Sequence, residues 1–184
     1  EGKFTTHVFE RMRVGDLVRF EGPLGTFVLR EPSSRPLMFV AGATGFAPVK
    51  SMVEHAFATG LKRRMVLYWG TRTPRDMYAR ELCEQWAKDH PATFKFVPVI
   101  SEATPEDGWT GRTGLVHEAI LADFPTLSGH QVYACGSVAM VEAAHPAFRA
   151  RGMDPNDCFS DAFRLTPHLA RTTPAEEVVK LGGA

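Results

Sequence analysis

The rhythm of apolar and polar positions changes once along this chain, near residue 36. Before that point it is alternating. Phe4 to Phe9 predicts a strand, Arg13-Val14-Gly15-Asp16 a turn, and Leu17-Val18-Arg19-Phe20 a second strand. Gly22-Pro23-Leu24-Gly25 breaks the pattern, and Thr26 to Leu29 predicts a third strand. So few strands cannot bury two faces, so the segment reads as the end of a larger β domain. Glu31-Pro32-Ser33-Ser34-Arg35-Pro36 is a linker by composition. Beyond it, short apolar runs alternate with stretches of helical spacing. Strands are predicted at Leu37–Ala41, Met65–Trp69, Phe94–Ile100 and Gln131–Cys135, and helices at Pro48–Thr59, Arg75–Asp89, Leu115–Phe124 and Val138–Arg149. Such alternation implies an α/β fold, a doubly wound parallel sheet covered by helices on both faces. Pro98 cannot donate to a ladder, which points the third strand to an edge, as a five-stranded order 3-2-1-4-5 provides. Pro146 predicts a kink or early break in the fourth helix. After residue 163 comes a polar tail, in which Thr173-Pro174-Ala175-Glu176 is a capping box that would open a short helix to Leu181.

The stretch from Leu37 to Gly60 organises the rest. Leu37 to Ala41 has the length of a strand buried on both faces. Gly42-Ala43-Thr44-Gly45 is a turn that lets a ligand approach the backbone, and Pro48 suits a first helical turn. Val49, Met52, Val53, Ala56 and Phe57 then form one apolar helix face, closed by Gly60. Strand, glycine turn and helix start present free N–H groups and a positive dipole end to a phosphate. The spacing is not G-x-G-x-x-G, and on these residues alone nucleotide binding and a plain strand-to-helix connection both stand.

Composition narrows the class. Lys plus Arg and Asp plus Glu are both 21, so no basic excess recommends nucleic acid or an anionic membrane as partner. No apolar run reaches the ~20 residues of a membrane span. Cys83, Cys135 and Cys158 lie far apart and make neither a disulfide framework nor a cluster-binding set, which fits a reducing, cytoplasmic setting. The histidines show no metal-ligand spacing. The chain starts without Met, inside an apparent strand, as though sequence upstream were missing.

Several stretches together resemble the ferredoxin-NADP reductase-like superfamily, in its bacterial oxygenase-reductase, flavin-reductase and deoxysugar-reductase branch. They are G-K-F-T-T at 2–6, G-P-L-G-T-F at 22–27, A-G-A-T-G-F-A-P at 41–48, Y-W-G-T-R at 68–72, G-W-T-G-R-T-G at 108–114, Y-A-C-G-S-V-A-M-V at 133–141 and F-S-D-A-F at 159–163. The resemblance implies a two-domain flavoenzyme, a β-barrel holding FAD followed by a domain holding NAD(P)H. Hydride would pass from nicotinamide to flavin, and electrons would leave toward an iron–sulfur protein, an oxygenase or a dehydratase. It divides the chain into the C-terminal remnant of the FAD barrel with its linker (1–34), the NAD(P)H domain (35–163) and a tail (164–184). The family's flavin motif, Arg-x-Tyr-Ser/Thr, has no match here, so the FAD site is incomplete in this chain. A 2Fe-2S cluster is expected only on a missing domain or a partner.

The resemblance also assigns residues. Gly42, Thr44, Gly45 and Pro48 would meet the coenzyme, with Thr71, Arg72, Gly136 and Met140 around them. Cys135 would lie beside the nicotinamide as a positioning residue rather than a nucleophile. Phe163 would pack on the flavin ring where nicotinamide must come, or else only close the sheet. Thr44, Cys135 and Phe163 are thus the residues set nearest the chemistry. Lys3, Phe4 and Thr5 match the flavin pyrophosphate loop, with an ordinary strand threonine as the alternative for Thr5. NADPH-using relatives end the third strand in Ser-Arg. Here Ser101-Glu102 stands in that place, which favours NADH, while Arg72 argues the other way. Arg112, Tyr68 and Trp69 are read as structural. The leading function is NADH-dependent reduction of flavin; a nucleotide-binding module without flavin is the alternative. A Rossmann alcohol dehydrogenase is disfavoured, because neither a Tyr-x-x-x-Lys pair nor a zinc set is present.

Overall fold

The computed structural model describes residues 2–22 and 24–163. The predicted Thr173–Leu181 helix lies outside them. Leu37–Gly42 (β1), Met65–Thr71 (β2), Phe94–Ile100 (β3), Arg112–Thr113 (β4), Gln131–Ser137 (β5) and Cys158–Phe163 (β6) form one parallel sheet in the order β4-β3-β2-β1-β5-β6. Phe46–Ala58 (α2), Arg80–Asp89 (α3), Val116–Asp123 (α4) and Val138–Arg149 (α5) cover it. Period-two alternation along β1 and β5 sends side chains to opposite layers. Leu37, Phe39, Ala41, Tyr133 and Cys135 pack with α2 and α3, whereas Met38, Val40, Val132 and Ala134 pack with α4 and α5. The expected doubly wound sheet is therefore present, its fifth strand being Cys158–Phe163.

Four details differ from expectation. β4 is a sixth strand, so the third strand is not the outermost. It pairs only with Val99 and Ile100, which leaves the flank beside Pro98 free and reconciles the proline with the sheet. The helix expected from Arg75 is split. Thr73 and Asp76 close a capping box over a single 3₁₀ turn at Pro74–Asp76, and α3 starts at Arg80. Pro146 does not break α5, which runs on to Arg149. Pro146 and Glu142 are both exposed, so the carbonyl that loses its helical donor can turn to water.

The fourth difference is the largest. Residues expected to give strands before the linker form none among those described. Lys3–Glu10 is instead a helix (α1) with no buried residue. A strand needs a neighbour to satisfy its N–H and C=O groups, whereas a helix satisfies them internally. Phe4, Phe9 and Phe20 stand 67%, 86% and 88% exposed among the described residues. Phe27 and Leu29 keep the expected alternation without pairing, and both pack on the α2–α3 layer.

The linker is tied down from below the sheet. Buried Arg63 donates through Nε to the Arg35 carbonyl (2.6 Å), through one terminal nitrogen to the Arg30 carbonyl (2.9 Å) and through the other to Gln131 Oε1 (2.6 Å). Gln131 in turn donates to Asp157, which pairs with Arg35. The Arg30 N–H donates to the Tyr133 hydroxyl at 2.8 Å.

Candidate nucleotide-binding site

The sheet order reverses between β1 and β5, since the chain adds strands on one side of β1 and then crosses to the other. Ligands in open α/β sheets bind beyond the C-terminal strand ends at such a point. A cleft of about 420 Å³ lies there. Its walls are Gly42 and Ala43 after β1, Gly70 to Arg72 at the end of β2, Ser101 after β3, Gly114 to His117 at the start of α4, and Ser137, Ala139, Met140 and Ala143 of β5 and α5.

Gly45 is needed for close approach, not for an unusual dihedral. Its φ is −60°, but a Cβ there would fall inside the Cys135 carbonyl and 2.8 Å from the Gly136 nitrogen. Only glycine lets the start of α2 rest on the last peptides of β5. Gly42 and Gly136 are likewise close, because a Cβ on Gly136 would lie 3.1 Å from the Gly42 Cα. The left-handed residue of the turn is Ala43, at φ +46°. Ser137 caps α5 by accepting from the Met140 N–H at 3.2 Å. The starts of α4 and α5 thus border the cleft, and the turn into α2 forms its floor. All bring N–H groups with no intrahelical partner.

Of the residues singled out from sequence, Gly42, Thr71, Arg72 and Met140 line this cleft, and Thr44, Gly45, Pro48 and Gly136 do not. Gly45 packs against the Cys135–Gly136 peptide, Thr44 is exposed, and Pro48 is in the first turn of α2. Glu102 sits at the cleft's outer rim, with a carboxylate oxygen 3.5 Å from Arg72 Nε and its N–H donating to the Arg72 carbonyl at 2.8 Å. The two residues read as opposing arguments about coenzyme choice are an ion pair. Arg112 is structural as expected, bonding the Ala119 carbonyl (2.7 Å) and Asp123 (2.6 Å).

Cys135 is not in the cleft. It is fully buried in the α2–α3 layer with Phe46 and Trp69, and burial, then the Asp161 carboxylate, push its thiol up to about 12. It stays protonated near neutral pH, consistent with a residue that is no nucleophile. Lys3, Phe4 and Thr5 are in α1, where Thr5 Oγ1 donates to the Gly2 carbonyl, and none of them reaches the cleft. For Phe163 only the backbone is described, and it pairs with Ser137 at the cleft's edge. Sequence reasoning passed over His117, Ser137, Ala139 and Ala143. Ser137 had a visible signal, a serine just ahead of an apolar helix, whereas the others reach the cleft only through sheet order.

Fold and site together define a nucleotide-binding α/β domain of the doubly wound type. Residues 39–146 match the oxidoreductase NAD-binding domain, and the chain belongs to that family. It is 44% identical over 162 residues to the CDP-6-deoxy-L-threo-D-glycero-4-hexulose-3-dehydrase reductase of Yersinia pestis, covering 88% of this chain and 48% of that protein. It is 37% identical to the ferredoxin–NAD(P)(+) reductase component of the naphthalene 1,2-dioxygenase system of Pseudomonas putida, with the same coverage. The crystal structure of Amycolatopsis cytochrome P450 reductase GcoB superposes with a TM-score of 0.75 at 34% identity, over 85% of this chain and 46% of that one. The chain spans about half the length of the curated relatives it matches. Among the described residues no helix is long and apolar enough to cross a membrane, and no group of three metal-ligating side chains is gathered.

Proposed function

We propose that this chain is the NADH-binding half of a flavin-dependent reductase, an electron-transfer component serving an iron–sulfur protein in an oxygenase or dehydratase system. The observation that carries the proposal is the cleft at the strand-order reversal, bordered by helix starts with free N–H groups. The names of the similar proteins, a dehydrase reductase and a dioxygenase reductase component, support the partner class. In the bound state NADH supplies the hydride and FAD accepts it. The residues of this chain bind and orient. Gly42, Thr44 and Gly45 shape the turn against the pyrophosphate, Thr71 and Glu102 hold the ribose end, and Gly136 and Met140 line the path to the nicotinamide. Cys135 backs that path as a buried wall, and Phe163 stands at its far end.

Lys3, Phe4 and Thr5 lie in the exposed helix α1, and with no match to the Arg-x-Tyr-Ser/Thr motif the same reading has this chain alone hold FAD weakly or not at all. A cytoplasmic setting and a unit boundary near residue 26, ahead of Phe27, are part of the same reading. The test is calorimetric titration of the chain with NADH. Ala143 is exposed and lines the cleft, so Ala143→Phe fills it without touching the core. Wild type is expected to bind and Ala143→Phe to bind more than tenfold weaker at unchanged Tm. Equal affinities would place the coenzyme elsewhere.

A further inference from the structure

Trp69 sits in β2 with no solvent exposure, stacked on Phe46 at 4.0 Å and 12° and met edge-on by Tyr78 at 5.2 Å. Hydrophobic burial accounts for the ring but not for its polar atom. The indole Nε1–H donates to the Ala43 carbonyl at 3.0 Å, and the same oxygen accepts the Phe46 N–H that opens α2. Ala43 is the single non-glycine residue at positive φ among those described, and its neighbour Gly42 shares the cleft wall. An alanine in the left-handed region persists only where its surroundings over-determine it. Here the surrounding group is one side-chain donor from the adjacent strand, Trp69 being in register with Ala41.

We infer that Trp69 is a positioning residue of the coenzyme site, its indole N–H holding the Ala43 carbonyl so that the 42–45 turn keeps the shape that faces the cleft. This rests on the coenzyme reading of that cleft. Trp69→Phe keeps an aromatic ring against Phe46 and removes the donor together with part of the indole's buried volume, so rescue by Ala43→Gly separates the lost hydrogen bond from the lost packing. The turn then relaxes toward negative φ at Ala43, and NADH affinity falls about tenfold, which is ~1.4 kcal/mol. Ala43→Gly removes the conformational penalty itself. In the Trp69→Phe background it restores most of the affinity lost with the indole donor. A side chain that served only as core would lower Tm in Trp69→Phe, leave the dissociation constant alone, and show no rescue by Ala43→Gly.

The experiment is calorimetry with NADH on wild type, both single variants and the double variant, beside NMR of the wild-type indole N–H signals. Weakened binding in Trp69→Phe with rescue by Ala43→Gly supports the inference. So does a Trp69 Nε1–H resonance that is protected from exchange and shifts on adding NADH. Unchanged binding in Trp69→Phe, loss without rescue, or a Trp69 resonance unmoved by NADH overturns it while the coenzyme reading stands. Absence of NADH binding in wild type overturns both. Should Trp69→Phe not fold, the wild-type resonance decides.

Discussion

At the scale of single residues, the proposed preference for NADH rests on Glu102 and its partner Arg72. The carboxylate can accept hydrogen bonds from ribose hydroxyls, as acidic residues do in NAD-binding folds. By pairing with Arg72 it also occupies the one guanidinium on the cleft wall that could grip a 2′-phosphate. Both side chains are largely exposed, at 79% and 62%, so the pair adds little to stability and its effect falls on the ligand. Glu102→Arg is expected to move the ratio of NADH to NADPH dissociation constants at least tenfold toward NADPH, or ~1.4 kcal/mol. Titration of both coenzymes into wild type and variant checks this. A ratio that stays put would mean that Glu102 is only a solvated rim residue. Sequence pattern could bring this residue to notice because the third strand ends in Ser101-Glu102. It could not show the ion pair, since Arg72 and Glu102 meet only once β2 and β3 lie side by side.

At the scale of elements, local patterns were legible wherever a segment could be understood from its own residues. The stripe of α2 and the apolar runs of β1, β2 and β5 sit where their periodicity put them. The misreadings occur where structure depends on something distant. Residues 4–9 could form a strand, but without a ladder the chain takes the conformation that closes its own hydrogen bonds. β4 is two residues long, below any periodic signal, and exists because Val99 and Ile100 offer it an edge. The Arg63 clamp was invisible for the same reason, since its acceptors are the carbonyls of Arg30 and Arg35 and the side chain of Gln131. Arg63→Met keeps the apolar stem and removes all three donors. Stranding those acceptors is expected to cost about 2–4 kcal/mol. A lower urea midpoint at unchanged slope would show it, and an unchanged midpoint would mean that water replaces the guanidinium.

At the scale of the molecule, the described residues divide into a six-stranded parallel sheet with its helices and an exposed N-terminal segment. Each buried strand has its neighbours and each sheet face its helices, whereas Phe4, Phe9, Leu17 and Phe20 have no cover. Large exposed apolar side chains in such number suit an interface with another surface. A protein extended upstream is expected to carry stoichiometric FAD through gel filtration, with the colour of bound flavin, while residues 1–184 emerge colourless. Colour in the short chain would refute the reading that it holds FAD weakly or not at all.

The clamp beneath the sheet also decides where this domain can be excised as a portable unit. Composition invites a cut inside the Pro- and Ser-rich linker, yet that cut would discard Phe27 and Leu29 from the α2–α3 layer. It would also remove Arg30, whose N–H serves Tyr133 and whose carbonyl serves Arg63. A fragment starting at Thr26 keeps these ties and sheds the uncovered aromatics, so it should be the more soluble and the better crystallised of the two. A fragment starting at Arg35 should melt earlier, because the guanidinium it leaves under β5 has lost one of its acceptors. What looks in sequence like a flexible hinge is, by its bonding, the lowest course of the nucleotide domain's own masonry.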